Sequence, residues 1–236
     1  GVDGIVVAGT TGESPTLTHD EKLNLIKLTI QHVNKRVIVI AGTGSNSTQA
    51  SIEASQEAEK LGVDGLMIVN PYYNKPTQEG LYLHFKAVHD ATSSPIMIYN
   101  IKGRTGVNVE TPTLMRIIKD CPRVKSVKEA SGDINQMKDV ISQVPDYFTV
   151  LSGDDGITLD LIKAGGHGVV SVAANAIPDR MVKMVKAALD GNLDEAEKLN
   201  QDLVRFFEVE FIETNPIPIK AALAMMGKCQ ETYRLP

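Results

Sequence analysis

The sequence predicts an α/β fold in which a parallel (β/α)8 TIM barrel carries a C-terminal helical domain. Short runs that are apolar nearly throughout alternate with amphipathic helical patterns, which is typical of a parallel sheet covered by helices. Nearly every run also ends in polar or glycine-rich residues. An open doubly wound sheet gathers its site at one switch point, whereas a barrel turns the C-terminal end of every strand towards one site. The spread of polar strand ends therefore favours the barrel.

Seven apolar runs mark the predicted strands. Their first residues are 32 apart at the start of the chain and 20 apart at its end, close to the length of one βα unit. The runs begin at Ile5, Val37, Leu66, Ile96, Val124, Thr149 and Val169. Since a barrel needs eight strands and the sequence begins without Met, we expect the first βα unit to be missing and the sequence to be a fragment.

Amphipathic patterns fill the intervals between the strands. The clearest is "THDEKLNLIKLTIQHV", where Thr18 and Glu21 have the spacing of a capping box. Further helices are predicted to start near Asn46, Thr77, Thr111, Asp133 and Asp155. After about residue 190 the strand signal stops, and "NLDEAEKLNQDLVRFFEVEFI" and "IPIKAALAMMG" both indicate helices. We therefore expect a catalytic barrel domain at 1–191 and a helical domain at 192–236.

Composition excludes several classes of protein. The chain has 236 residues, 42% hydrophobic and 22% charged, which is ordinary for a soluble globular protein. Its net charge is -5 and its basic residues are scattered, so nucleic acid is not an expected partner. No signal peptide or membrane-spanning apolar stretch is apparent. Cys121 and Cys229 lack the spacing of a CxxC or metal motif, which fits a reducing cytosol and predicts a cytoplasmic location.

Two lysines stand in one predicted strand, "RVKSVKE". Alternation along a strand puts Val124, Ser126 and Lys128 on one face and Lys125 on the other. Lys125 lies near the start of the strand, where its long side chain reaches solvent, and Lys128 lies at the C-terminal end, where barrel catalysis occurs. A lysine of ordinary pKa is less than roughly 0.1% neutral at pH 7, so a nucleophilic Lys128 needs burial or a nearby cation such as Arg104 to lower its pKa. The alternative is a surface lysine.

Three strand-end loops hold further candidates. "GTTGES" can bind a carboxylate or phosphate through its hydroxyl and N–H groups, or it is an ordinary βα loop. "NPYYNKP" places Tyr72 and Tyr73 at a strand end, as part of a site or as an interface patch. In "IYNIKGRTG" the phenol of Tyr99 can relay protons and the guanidinium of Arg104 can clamp a carboxylate, although Arg104 also fits a surface ion pair.

The remaining polar groups do not indicate a metal or an organic cofactor. None of the five histidines stands in a metal-binding or triad arrangement. "GTGSNS" matches a dinucleotide loop only in part, because Ser47 replaces the third glycine. We interpret Glu129, Asp154 and Asp155 as hydrogen-bond acceptors that fix loops, with acid/base chemistry as the alternative.

Eight motifs, in order along essentially the whole chain, resemble the dihydrodipicolinate synthases, of the pyruvate-dependent aldolase and lyase superfamily. They are "GTTGESPTLTHDE", "AGTGSNST", "NPYYNKPTQEGLYLHF", "YNIKGRTG", "VKEASGD", "LSGDD", "GGHGVVSVAAN" and "NPIPIKAAL". The resemblance implies a (β/α)8 barrel with a C-terminal helical domain. It also implies condensation of pyruvate with aspartate 4-semialdehyde, the first committed step towards diaminopimelate and lysine, without a cofactor beyond the covalent imine.

The resemblance assigns four catalytic residues. Lys128 would form the Schiff base with pyruvate, and Tyr99 would sit over it and pass protons. Thr10 and Tyr73 would complete the proton relay, with Tyr73 reaching in from a neighbouring subunit. The family suggests a homotetramer made of tight dimers.

It also assigns four substrate-binding positions. Thr11 would bind the pyruvate carboxylate, and Arg104 would hold the carboxylate of the semialdehyde at the site entrance. Gly153 and Val170 match positions whose backbone carbonyls line the pocket.

The chain departs from the family pattern at three positions. Lys102 stands where proline is usual, between "YN" and "RTG". Lys22 stands where lysine-sensitive members carry His or Glu, and Ala50 stands where they carry Glu. Since Lys22 would repel the ammonium group of a bound lysine and Ala50 cannot pair with it, we expect weak or absent lysine inhibition. Other residues match the allosteric pocket, namely His19, Asn46 and Tyr72.

Three other functions fit parts of the pattern. An N-acetylneuraminate lyase or keto-sugar-acid aldolase would share Lys128 and Tyr99, but such enzymes generally lack Arg104. A catalytically degenerate sensor of oxo acids would not need Lys128, Tyr99, Tyr73 and Thr10 together. A NAD-dependent oxidoreductase rests on "GTGSNS" alone and does not explain polar residues at nearly every strand end.

Overall fold

The computed structural model describes residues 1–236 and contains one curled sheet of six parallel strands, hydrogen-bonded in chain order. The strands are β1 Gly4–Val7, β2 Ile38–Gly42, β3 Gly65–Val69, β4 Ile96–Asn100, β5 Val124–Glu129 and β6 Thr149–Ser152. The helices are α1 His19–Val33, α2 Thr48–Leu61, α3 Gln78–Ala91, α4 Lys102–Thr105, α5 Thr111–Asp120, α6 Ile134–Gln143, α7 Thr158–Lys163, α8 Pro178–Leu189, α9 Leu193–Gln201, α10 Val204–Val209 and α11 Ile217–Met225. Short 3-10 turns lie at Ser14–Thr16, Asp155–Ile157 and Ala173–Asn175. No helix combines the length and the apolar character needed to cross a bilayer.

Side-chain caps set the start of four helices, α1, α2, α3 and α6. At α1 the backbone N–H of Thr18 donates to the Glu21 carboxylate at 2.8 Å, and the Thr18 hydroxyl accepts the N–H of Glu21 at 3.3 Å. The predicted capping box is therefore confirmed. Side-chain oxygens of Ser47, Thr77 and Asp133 accept N–H groups in the first turns of α2, α3 and α6. Each cap satisfies backbone donors that would otherwise have no partner.

Alternate residues of the strands face two different surroundings. One face packs under the helices and forms the main core, which includes Val39, Ile68, Ile98, Val127 and Val150. The other face forms a smaller cluster around Met67, Met97 and Tyr99, with Val6, Ile40, Leu151 and Val170 packed against it. Both faces are apolar, as expected of a parallel sheet that is covered on both sides. The second face carries the polar groups of the site at its C-terminal edge.

The seventh predicted strand is reduced to a single bridge. Val169 pairs in parallel only with Ser152, and the N–H of Val170 donates to the carbonyl of Ser152 at 2.8 Å. Beyond this point the carboxylate of Asp155 accepts the N–H groups of Val172 and Ala173, at 2.8 and 3.0 Å. Because these donors are taken by a side chain, the chain turns into a 3-10 turn instead of extending the sheet.

The C-terminal helices differ from the prediction in their bounds. The segment predicted as one helix from residue 192 is divided into α9 and α10 around Leu203, which is buried against Met181, Met184 and Phe207. Helix α8, which contributes both methionines, was not identified as a separate helix from the sequence. The C-terminal segment therefore packs directly on the helix that follows the last predicted strand.

Candidate active site

The register of the sheet places Lys128 beside Tyr99. The two residues are direct partners in the pairing of β4 with β5, and both side chains lie on the face opposite the main core. The Lys128 ammonium nitrogen is 4.1 Å from the centroid of the Tyr99 ring. Lys128 is only 9% exposed and Tyr99 only 5%. The amine and the phenol predicted to act together are thus in contact, shielded from bulk solvent.

The prediction of strand faces was wrong for Val124. In the pairing with β4, Ile96 is opposite Val124 and Met97 is opposite Ser126, so Lys125 is an extra residue that forms a β-bulge. The bulge shifts the alternation by one residue, and Val124 packs in the main core. The separation of the two lysines is confirmed, since Lys125 is exposed with its ammonium 4.7 Å from the ring centre of Tyr147.

Burial shifts the pKa values of Lys128 and Tyr99 in opposite directions. Burial, assisted by the positive charge of Arg104, lowers the pKa of Lys128 from 10.5 to about 8, while the Asp155 carboxylate opposes this shift. Burial raises the pKa of Tyr99, with the Thr10 hydroxyl and Arg104 opposing. At neutral pH a usable fraction of Lys128 is therefore the free amine, and the Tyr99 phenol keeps its proton.

Gly153 leaves the space that the Lys128 side chain occupies. A Cβ atom at this position would lie 3.0 Å from Cε of Lys128 and 2.6 Å from Cβ of Ala130. Contacts this short require the lysine or the backbone to move. Glycine at position 153 therefore leaves room for the Lys128 side chain. Val170 packs against the same cluster as Tyr99.

Asn215 joins Thr11 to Arg104. Its side-chain amide donates to the Thr11 hydroxyl at 3.1 Å, and its backbone carbonyl accepts from the Arg104 guanidinium at 3.1 Å. Arg104 and Asn215 line an open cleft of about 530 Å³, which does not include Lys128 among its lining residues. The sequence analysis missed Asn215, although it lies in the motif "NPIP", because its partners are about a hundred and two hundred residues away.

Tyr73 is not brought to Lys128 within one chain. Its side chain is 89% exposed, and its backbone has a φ of 74°, in the left-handed region that non-glycine residues rarely adopt. The tyrosine therefore projects away from the chain that carries it.

The acidic residues at the strand ends act as loop-fixing acceptors, as predicted. Glu129 accepts the side-chain amide of Asn100 at 3.0 Å and the N–H of Ser131 at 2.8 Å, and Asp154 accepts the N–H of Gly156 at 2.9 Å. Burial raises the pKa of Glu129. No group of three or more His, Cys, Asp or Glu side chains is arranged to hold a metal ion.

A second cavity of about 510 Å³ lies beside α1 and α2. His19, Lys22, Ala50 and Tyr72 are among its lining residues. Burial lowers the pKa of Lys22, and His19 lies 3.2 Å from the Glu57 carboxylate. Of the three residues predicted to match an allosteric pocket, His19 and Tyr72 line this cavity and Asn46 does not. The two departing positions, Lys22 and Ala50, line the same cavity.

Comparisons with known proteins cover the whole chain. A family model described as the dihydrodipicolinate synthetase family matches residues 1–236. A protein of Moorella thermoacetica named 4-hydroxy-tetrahydrodipicolinate synthase is 52% identical over 100% of this chain and 80% of its own length. The structure of a dihydrodipicolinate synthase from Aquifex aeolicus superposes with a TM-score of 0.99 at 42% identity, over 100% of this chain and 80% of that one. A chloride-inhibited dihydrodipicolinate synthase from Acinetobacter baumannii, complexed with pyruvate, has a TM-score of 0.97 at 41% identity, over 100% and 81%.

Proposed function

This chain belongs to the dihydrodipicolinate synthetase family, and we propose that its 4-hydroxy-tetrahydrodipicolinate synthase reaction proceeds through an imine between Lys128 and pyruvate. The observation that carries the proposal is the buried ammonium of Lys128 against the ring of Tyr99, with a pKa lowered to about 8. Such an amine is nucleophilic near neutral pH and sits beside a proton donor. The protein is a lyase, and its substrates are pyruvate and aspartate 4-semialdehyde.

The chemistry balances without a metal or an organic cofactor. The neutral amine of Lys128 attacks the keto carbon of pyruvate and gives a carbinolamine. A proton added to its hydroxyl group then releases water and leaves a protonated imine. This imine accepts the electron pair released when the methyl group loses a proton, which gives an enamine. The enamine carbon attacks the aldehyde carbon, and Tyr99 supplies the proton for the new alkoxide. The amino group of the semialdehyde part then attacks the imine carbon, which closes a ring and displaces the amine of Lys128.

We assign Thr10 and Tyr73 to the proton relay. Within one chain, the Thr10 hydroxyl lowers the pKa of the Tyr99 phenol against the effect of burial. The exposure of Tyr73 supports its insertion into a neighbouring subunit, in a homo-oligomer that we propose to be a tetramer of tight dimers. Mixing a Tyr73→Phe variant with a Lys128→Ala variant should then restore activity in mixed dimers, whereas no recovery would argue against sharing of Tyr73.

The remaining assignments concern the two carboxylates of the substrates. Thr11 would bind the carboxylate of pyruvate, with Asn215 orienting its hydroxyl at 3.1 Å. Arg104 would bind the carboxylate of the semialdehyde through its guanidinium, which fits the open cleft that it lines. Backbone carbonyls of Gly153 and Val170 would line the pyruvate pocket.

We also propose the finer architecture and location. The six parallel strands are part of a (β/α)8 barrel spanning 1–191, and 192–236 form a helical domain. The apolar inner cluster around Met67, Met97 and Tyr99 supports the barrel, because a barrel fills its interior with strand side chains. The unpaired thiols of Cys121 and Cys229 support a cytoplasmic location.

Measuring acceptor choice tests the function. With pyruvate present, turnover of aspartate 4-semialdehyde should far exceed turnover of N-acetylmannosamine, and it should vanish in Lys128→Ala but persist in Lys125→Ala. Preference for the sugar would indicate the sialic-acid lyase instead. Imine formation without any turnover would indicate a sensor of oxo acids.

A further inference from the structure

Two buried carboxyl groups meet beneath the site. Asp155, in the turn after β6, is fully buried, and Glu210, at the end of α10, is only 2% exposed. The Oδ2 atom of Asp155 accepts two backbone N–H groups, but its Oδ1 atom and both oxygens of Glu210 have no donor. No ion pair involves either residue. Three buried acceptor atoms without a donor carry a high free-energy cost if both groups are ionised.

A single proton on Glu210 pairs two of these three atoms and removes one of the two negative charges. A protonated carboxylic acid is a donor, whereas a carboxylate only accepts. We infer that Glu210 is a neutral acid that donates its proton to Asp155, and that it is thereby a positioning residue for Lys128. This role rests on the proposed imine chemistry of Lys128.

The electrostatic surroundings favour the neutral form of Glu210. Burial raises its pKa to about 9, and the negative charges of Asp155 and Asp154 and the hydrogen bond with Asp155 act in the same direction. The charged residues on its own helix, Arg205 and Glu208, are exposed and pair with each other at 3.0 Å. Helix α8 carries Arg180, Lys183 and Lys186, and none of these cations is hydrogen-bonded or ion-paired to Glu210.

Asp155 connects the pair to the reacting amine in two ways. Its negative charge opposes the lowering of the pKa of Lys128, so it favours the ammonium and the positively charged imine that replaces it. Its Oδ2 atom accepts the N–H groups of Val172 and Ala173, which begin two residues after Val170. Val170 packs beside Tyr99. Because Glu210 is protonated, the pair of Glu210 and Asp155 carries one negative charge and not two.

Two substitutions of Glu210 should affect imine trapping differently. Glu210→Gln keeps a donor for Asp155 and removes the titration, so trapping of the pyruvate imine with borohydride at pH 7 should stay within about threefold of the wild-type rate. Glu210→Ala removes the donor and should slow trapping about tenfold or more. It should also move the midpoint of the pH profile of trapping upwards, because Asp155 then acts as an uncompensated charge. Glu208→Gln, an exposed change on the same helix, should alter neither.

Infrared spectroscopy tests the proton directly. At pH 7 the wild-type protein should show a C=O stretch of a protonated carboxyl group that is absent from Glu210→Gln, present in Glu208→Gln and lost as the pH passes about 9. A spectrum unchanged by Glu210→Gln would overturn the inference, and so would equal losses of trapping in the Gln and Ala variants. The infrared comparison of wild type, Glu210→Gln and Glu208→Gln does not need Glu210→Ala to fold. Absence of any pyruvate adduct in the wild type would instead refute the imine mechanism and leave the infrared result to stand by itself.

Discussion

The pH dependence of imine formation follows from the burial of Lys128. With a pKa of about 8, close to 9% of this amine is neutral at pH 7, whereas an amine of pKa 10.5 is about 0.03% neutral. The ratio of these two neutral fractions is about 300. The free amine of Lys128 is therefore about 300 times more abundant than that of an ordinary lysine, even before substrate binds. The rate of imine formation should therefore rise about tenfold per pH unit below pH 7 and level off above pH 8.

Rapid mixing with pyruvate, followed by borohydride quenching at a series of pH values, measures this profile. Arg104→Gln is the informative variant, because removing this cation should move the midpoint to higher pH while Lys128 stays buried. The second substrate is absent from the assay, so any effect of Arg104 on its binding does not enter. A wild-type midpoint near 10.5, or an Arg104→Gln profile that coincides with the wild-type profile, would refute the reasoning.

Three further outcomes are expected. Tyr99→Phe should lower kcat by about 10²–10⁴-fold while pyruvate still forms the imine, as trapping would show; unchanged kcat would exclude the phenol as proton donor. Gly153→Ala should place a Cβ atom 3.0 Å from Lys128, lower the free energy of unfolding by about 1–3 kcal/mol and slow trapping. If the variant equalled the wild type in urea unfolding and in trapping, the space at Gly153 would not be needed. Millimolar lysine at saturating pyruvate should inhibit weakly or not at all, because Lys22 repels its ammonium group, and Ala50→Glu should increase inhibition; strong inhibition of the wild type would contradict this.

Features that depend on neighbouring residues in the chain were predictable. The capping box of Thr18 and Glu21 is a local motif, and it forms as expected. The position of Lys128 at the end of a strand, beside Tyr99 at the end of the preceding one, follows from parallel pairing of consecutive strands. The contact between Lys128 and Tyr99 was predictable because both residues stand at the C-terminal ends of apolar runs.

Features that depend on distant pairing were not predictable. The bulge at Lys125 exists only in the register between β4 and β5, so alternation within one strand put Val124 on the wrong face. Asn215 and Glu210 reach the site from the turn between α10 and α11, and their partners are distant in the chain. The seventh strand failed to extend because Asp155 takes its backbone donors, an arrangement that apolar character does not reveal.

The central claim is that Lys128 is the residue that forms the imine with pyruvate. The most direct measurement incubates the protein with pyruvate, reduces it with borohydride and maps the modified peptide by mass spectrometry, with fragmentation that separates Lys125 from Lys128. The adduct should lie on Lys128 and not on Lys125, because Lys128 is buried with a lowered pKa whereas Lys125 is exposed. An adduct on Lys125 or on any other residue, or no adduct at all, would contradict the account.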